Sequence, residues 1–74
     1  DEMVPAALVT RLLAGENPVR VWRRHRGLTG RALAASAGIG AAYLSEIETG
    51  RKEGSLAVMK RLAEALSVDL DDLV

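Results

Sequence analysis

Seventy-four residues with no net charge exclude several classes of protein. The chain has ten basic and ten acidic residues, one histidine and no cysteine, which leaves no disulfides and no thiolate or multi-histidine metal site. Its apolar runs are far shorter than a membrane span, and no secretory signal pattern opens the chain. We therefore expect one small cytoplasmic domain with no metal, no cofactor and no membrane association.

The charge is unevenly distributed along the chain. Residues 18–52 carry seven basic and two acidic side chains, a net of +5, whereas residues 1–17 carry −2 and residues 53–74 carry −3. Segregation of this kind gives a folded domain one positive side, which is the electrostatic pattern of a nucleic-acid binder. Because the whole chain is neutral, we expect its non-specific binding to be weaker than that of a basic domain.

Proline, asparagine and glycine bound the first two helices. Pro5 suits a first helical turn and Gly15 suits a helix exit, so we expect a short opening helix between them. Asn17 followed by Pro18 is an N-cap and first-turn signature for a second helix that ends near residue 26. The core-facing side of this second helix is predicted from residues three and four apart: Val19, Trp22, Arg23 and Arg26.

Two short helices joined by a glycine turn follow, within residues 28–50. Thr29 can cap the first helix, and Gly38 ends it, because glycine readily adopts the left-handed conformation of a sharp helix exit. The second helix runs from about residue 41 to residue 49, and its inward side is formed by Leu44, Ile47 and Glu48. Two helices joined in this way predict the helix-turn-helix arrangement that enters the DNA major groove.

The remaining residues predict one more helix and a final turn. Ser55 caps the helix, and Asp69 begins the last turn. The apolar stripe of the helix consists of Leu56, Met59, Leu62, Ala63 and Leu66. No segment alternates as a strand does, so the fold class is all-α. We divide the chain into an N-terminal extension with a short helix, residues 1–16, and a helix-turn-helix DNA-binding domain, residues 17–74.

Over roughly residues 18–74 the chain resembles the Cro/cI-like (XRE-type) helix-turn-helix regulators. The matching phrases are RGLTGRALA at 26–34, AGI at 37–39, YLSEIETGRK at 43–52 and GSLAVMKRLAEALSVDLDDLV at 54–74. The resemblance implies a compact five-helix lambda-repressor-like bundle, to which the short N-terminal helix is an addition. It also implies a transcriptional regulator, most simply a repressor, whose partner is double-stranded DNA.

The family reads base edges from the start of its second motif helix, which here implies Ala41, Ala42, Ser45 and Glu46. Alanine methyls can contact a thymine methyl, serine can bond to any base, and glutamate can accept from cytosine. The family often has glutamine or serine at the first positions of this helix and glutamine at the position of Gly30. This chain has Ala41, Ala42 and Gly30 instead, none of which can make a bidentate contact to guanine or adenine, so we expect readout to depend on van der Waals contacts, Glu46, Tyr43 and DNA shape.

Seven residues are candidates for contact with DNA phosphates. The helix after Thr29 begins with free N–H groups, and Gly30 allows a phosphate to approach them closely. Basic side chains nearby would position the duplex without reading its sequence. The full set is Thr29, Gly30, Arg31, Tyr43, Thr49, Arg51 and Lys52, of which Thr29, Arg31, Thr49, Arg51 and Lys52 stand at positions that match backbone contacts of the family. A solvated loop is the alternative for Arg51 and Lys52, and for Arg20 and Arg24 simple exposure to solvent is at least as good an interpretation as DNA contact.

Arg23 and Glu48 are predicted to form a structural ion pair. Both lie on core-facing sides of their helices, and a buried charge is costly unless an opposite charge pairs with it. The resemblance implies such a pair between the same two helices.

No group of residues predicts catalysis. Asp71 and Asp72 lie near Glu64, but helix capping and solvation explain these carboxylates without a reaction, and neither cysteine nor histidine accompanies them. His25 is interpreted as a helix-surface residue. We therefore expect the protein not to be an enzyme.

We expect a homodimer on a two-fold symmetric operator, with its recognition helices about 34 Å apart. Two apolar surfaces are candidates for the dimer contact. One is the C-terminal end with Leu70, Leu73 and Val74; the other is the opening helix with Met3, Val4, Leu8 and Leu12. The alternative function is an antitoxin-like or other protein-interaction module, in which a missing N-terminal segment holds a toxin or another protein partner.

Overall fold

A computed structural model describes residues 4–74 as a series of helices joined by short turns. The α-helices are α1 (Ala6–Leu13), α2 (Pro18–His25), α3 (Gly30–Ala37), α4 (Ala41–Glu48) and α5 (Leu56–Leu66), followed by a single 3-10 turn over Leu70–Asp72. No strand occurs in this part of the chain. The all-α fold class predicted from the sequence is therefore confirmed.

Side-chain caps begin three of the helices where the sequence predicts them. Asn17, Thr29 and Ser55 each accept a hydrogen bond from the amide three residues later, at 3.0–3.2 Å. Each bond satisfies one of the amides that a helix leaves without a partner at its start. The start of α4 is different, because Gly40 precedes it and no side chain caps it.

The turn between α3 and α4 depends on Gly38. Its φ of +69° lies in the left-handed region, as predicted, where a side chain would be strained. Its amide donates to Ala35, and the next amide, of Ile39, donates back to Ala34. The chain thus reverses within three residues, which places α4 directly against α3.

The hydrophobic core is built around α3, which packs chiefly on α5 and α4, while α1 packs on α2. Trp22 is 3% exposed and therefore belongs to the core, as its position predicts. The largest fully buried side chains are Leu33, Leu44, Leu62, Leu66, Val19 and Val21. Because α1 adds the buried Leu8 to the same core, the opening helix is part of one packed unit. The division of the chain at residue 17 stays a prediction.

Three predictions about apolar residues are wrong. Leu56, expected in the core stripe of α5, is 63% exposed, whereas Leu73 and Leu8, expected on dimer surfaces, are each 4% exposed. Helical spacing identifies one side of a helix but not how far the neighbouring helix extends along it. The 3-10 turn packs on α5, and α1 packs on α2, which buries Leu73 and Leu8. Met3, also expected on a dimer surface, lies outside the described residues.

Glu48 is the buried charged residue of the described chain, with 6% exposure. Arg23 donates from Nε to Oε2 at 2.8 Å and from Nη2 to Oε1 at 2.9 Å, a bidentate pair. Arg20 Nε donates to the same Oε1 at 3.2 Å, and Arg23 Nη1 donates to the carbonyl of Leu28 at 3.0 Å. The hydrogen bonds to Glu48 raise the pKa of Arg23 above its ordinary value, despite its partial desolvation. These bonds join α2 to the last residue of α4.

Further polar contacts fix α2 to α4 and to α5. Asn17 Nδ2 donates to the carbonyl of Ile47 at 3.2 Å, next to the ion pair. At the other end of α2, Arg26 Nε donates to the carbonyl of Leu66 at 2.8 Å, and its guanidinium lies 5.3 Å from the centre of the Trp22 ring. The first contact holds the end of α4, and the second satisfies a carbonyl at the end of α5.

The Glu48→Ala variant is expected to lower the free energy of unfolding by about 3 kcal/mol, since it leaves Arg23 partly buried without a counter-charge. Glu46→Ala is the matched control, because it removes a carboxylate from the same helix whose pair with Lys52 is largely exposed and contributes at most about 1 kcal/mol. Urea denaturation followed by circular dichroism measures both. Equal midpoints for the two variants would contradict a structural role for Glu48.

Two substitutions at Asn17 separate its two hydrogen bonds. Asn17→Ala removes both the cap of α2 and the bond to Ile47, and is expected to cost about 2 kcal/mol. Asn17→Ser keeps an oxygen for the cap but lacks the amide donor, so it is expected to cost about 1 kcal/mol. Thermal and urea unfolding measure the difference. If the two variants were equally stable, the cap would contribute nothing here.

Candidate nucleic-acid interface

The start of α3 is open toward solvent. Thr29 Oγ1 accepts from the amide of Ala32, which leaves the hydrogen of its hydroxyl for another acceptor. The amides of Gly30 and Arg31 precede the first hydrogen bonds of the helix and lack acceptors within it. A Cβ at Gly30 would meet no atom within 4 Å, so the space beside these amides is free. The partial positive charge of a helix start and its free N–H groups favour an anion there.

The outer side of α4 carries the predicted base-reading residues. Ala41, Ala42 and Ser45 are exposed and Glu46 is half-buried. Small side chains at its uncapped start leave the backbone of α4 accessible, so another molecule can approach this helix closely.

A cleft of about 200 Å³ joins the start of α3 to α4. Along its walls lie two residues predicted to contact phosphate, Gly30 and Arg31, together with two predicted to contact bases, Ala41 and Ser45. The complete lining is Arg20, Arg23, Gly30, Arg31, Ala41, Leu44, Ser45 and Glu48. Three guanidinium groups and one carboxylate give this lining a net charge of +2. A concave surface with excess positive charge attracts a polyanion.

The loop after α4 folds back onto the last turn of that helix. The amides of Arg51 and Lys52 both donate to the carbonyl of Glu46, at 2.9 and 3.2 Å. Lys52 Nζ also lies 3.4 Å from Glu46 Oε2, with 57% of the lysine side chain exposed. An exposed pair of this kind is weak, so Glu46 and Lys52 can exchange it for contacts with a base and a phosphate.

The other predicted contact residues lie outside the cleft. Tyr43 is half-buried and packs against the hydrophobic core, and the Thr49 hydroxyl donates to the carbonyl of Ser45 at 2.9 Å. Thr29 and Arg51 are exposed but do not line the cleft. The contacts of all these residues with DNA stay predictions.

Two polar contacts at this site are not predicted from the sequence: that of Arg20 with Glu48 and that of Asn17 with Ile47. The sequence leaves the role of Arg20 undecided, although the three-residue spacing between Arg20 and Arg23 on one helix indicates that both can reach the same partner. No sequence signal indicates that Asn17 reaches the carbonyl of Ile47, thirty residues away. That contact depends on how α2 crosses α4.

Residues 4–74 contain neither a metal-binding cluster nor a membrane-spanning helix. No cluster of acidic or histidine side chains within this range is placed to hold a metal ion. None of the helices within it has the length and apolar character needed to cross a membrane.

Comparison with known proteins identifies the family of the chain. A family model described as "Helix-turn-helix" matches residues 19–73, which leaves α1 outside the match. The chain is similar to the "Uncharacterized HTH-type transcriptional regulator y4dJ" of Sinorhizobium fredii (strain NBRC 101917 / NGR234), with 39% identity over 64 residues that cover 86% of this chain and 82% of that protein. No solved structure matches significantly. The chain belongs to the Cro/cI-like (XRE-type) family of helix-turn-helix regulators.

Proposed function

We propose that this protein is a transcriptional repressor that binds a two-fold symmetric operator as a dimer, with α4 as its recognition helix in the major groove. The positive cleft between the start of α3 and the exposed side of α4 carries the proposal. It brings anion-binding groups next to a helix with small, accessible side chains. Repression then follows from occupying the operator.

Phosphate contacts position the duplex in this proposal. The DNA backbone on one side of the groove is bound by the Thr29 hydroxyl, the amides of Gly30 and Arg31, and the Arg31 side chain. Four further residues bind the DNA backbone: Tyr43 from the first turn of α4, and Thr49, Arg51 and Lys52 from just after its end. Contacts of these types hold the register of the protein on DNA but carry no sequence information.

Base readout uses the outer side of α4. Ala41 and Ala42 contact thymine methyl groups, Ser45 bonds to a base edge, and Glu46 accepts from cytosine N4. With one charged side chain among the four, discrimination between bases is modest. Sequence-dependent groove shape therefore supplies part of the specificity.

The size of the domain supports a dimer whose subunits lie side by side. Its longest dimension is 31 Å, which is comparable to the spacing of about 34 Å between successive major grooves on one side of DNA. A groove of about 500 Å³ lies next to the end of α4, lined partly by Ile47, Met59 and Leu73 and by Val74, which is 81% exposed. A second copy of the chain that covers this groove would bury the exposed Val74 beside it.

Selection of bound duplexes from a random pool tests this function directly. The 74-residue chain is used at low salt, because the phosphate contacts are then strongest. We expect enrichment of a palindrome with half-sites one helical turn apart. Enrichment of a single half-site would contradict the dimer, and a failure to bind any duplex would contradict DNA binding itself.

The Arg31→Gln variant is expected to weaken binding to all duplexes alike, and to reduce the slope of log K against log salt concentration by about 1. The reason is that Arg31 neutralises a phosphate and reads no base. Lys60→Gln is the matched control, since Lys60 is an exposed cation on α5, away from the cleft. Fluorescence anisotropy at four salt concentrations gives both slopes. Equal slopes for the two variants would remove Arg31 from the interface.

The Glu46→Gln variant is expected to lose preference at one base pair of each half-site, by about tenfold, because a carboxylate that accepts from cytosine is replaced. The measurement compares the affinity of wild type and variant for duplexes that differ only at that pair. Glu64→Gln on α5 is the control. An unchanged order of preference would show that Glu46 reads no base.

A protein-interaction module is the second candidate function. Exposed apolar residues on α1 favour it, since Val9 is 40% exposed and Leu13 is 83% exposed, and α1 lies outside the family match. An antitoxin-like regulator would bind its protein partner there and keep the DNA face. A double variant with Val9→Ser and Leu13→Ser separates the two surfaces if it loses the protein partner and retains DNA binding.

A further inference from the structure

We propose that Arg20 is a further DNA-phosphate contact, which exchanges its bond to Glu48 for a phosphate oxygen while Arg23 continues to compensate the buried carboxylate. This inference rests on the proposed function and adds a residue to its phosphate-binding set. It concerns a side chain whose role the sequence leaves undecided.

Arg23 by itself engages both oxygens of Glu48. Both carboxylate oxygens of Glu48 accept from Arg23, at 2.8 and 2.9 Å, and the Arg23 side chain is 14% exposed. A planar guanidinium that meets a carboxylate through two parallel bonds is the strongest form of this pair. The structural requirement at the end of α4 is therefore satisfied without Arg20.

Arg20 makes the more exchangeable of the two contacts. Its Nε donates at 3.2 Å to Glu48 Oε1, an oxygen that already accepts from Arg23, and its side chain is 37% exposed. Releasing this bond leaves no buried charge without a partner. Because the Arg20 side chain reaches solvent and Arg23 keeps Glu48 paired, an incoming phosphate can replace Glu48 as the acceptor for Arg20.

The surroundings of Arg20 favour an anion. Arg20 lines the same cleft as Gly30 and Arg31 at the start of α3 and as Ser45 on α4. Since one carboxylate faces three guanidinium groups there, the positive charges repel one another in the free protein. A phosphate between Arg20 and Arg31 would relieve this repulsion and accept charge-assisted hydrogen bonds from both.

Arg24 provides a natural comparison on the same helix. It is exposed and lies in a different depression, which Pro5, Leu8 and Val21 also line, beside α1. Its distance from the cleft predicts no direct role in holding phosphate. The structure therefore distinguishes two arginines that appear equivalent in the sequence.

The test compares Arg20→Gln, Arg20→Lys and Arg24→Gln, each bound to a duplex that the wild-type chain selects. For Arg20→Gln we expect about tenfold weaker binding, the size of one charge-assisted hydrogen bond, and a salt slope reduced by about 1. Arg20→Lys should recover most of the affinity, because an ammonium group also binds phosphate. Arg24→Gln should bind within about twofold of wild type.

Thermal unfolding of the free variants supplies a readout that separates binding from structure. We expect Arg20→Gln to melt within about 2 °C of wild type, since Arg23 continues to pair with both oxygens of Glu48 in this variant. Wild-type affinity and salt slope in Arg20→Gln would overturn the inference, as would a loss of affinity that follows a large fall in melting temperature. A wild-type chain that binds no duplex would instead overturn the proposed function, so the two failures are distinguishable.

Discussion

The carboxylate of Glu48 lies at the end of α4 and is held by the guanidinium of Arg23 from α2. Because a charge buried in a small core must be paired, this contact allows few relative positions of α2 and α4. The bond from Asn17 to the carbonyl of Ile47 fixes the same helix end from a second direction. Helix α4 is therefore oriented by polar contacts at its end, while no side chain caps its start.

The two helices of the motif begin in different ways, and the difference suits the separate roles that we propose for them. Thr29 caps α3 and leaves two amides and a hydroxyl hydrogen in position for an anion. No side chain caps α4, which begins with two alanines. A capped start is rigid and suits a fixed phosphate contact, whereas an uncovered start allows close approach to base edges.

A neutral chain can present a positive surface when its charges are separated along the sequence and the fold keeps them apart. Three of the seven basic residues between residues 18 and 52, namely Arg20, Arg23 and Arg31, line the cleft between α2, α3 and α4. Three acidic residues of the C-terminal part of the chain, Asp69, Asp71 and Asp72, lie at the 3-10 turn. Because a limited number of cations neutralises few phosphates, the salt dependence of the proposed DNA binding should be shallower than that of a strongly basic domain.

The sequence by itself determined the helices, their caps and the sharp turn at Gly38, because these features depend on neighbouring residues: a side chain that reaches an amide three positions away, and a glycine that tolerates positive φ. The resemblance to a family, together with the cost of burying charge, indicated Arg23 and Glu48, whose side chains the structure brings together. Tertiary structure alone decided that Leu56 is exposed and Leu73 buried, and that Arg20 rather than Arg24 reaches the cleft. Helical spacing defines the sides of each helix, but which side meets another element, and over what length, depends on the packing of residues distant in the chain.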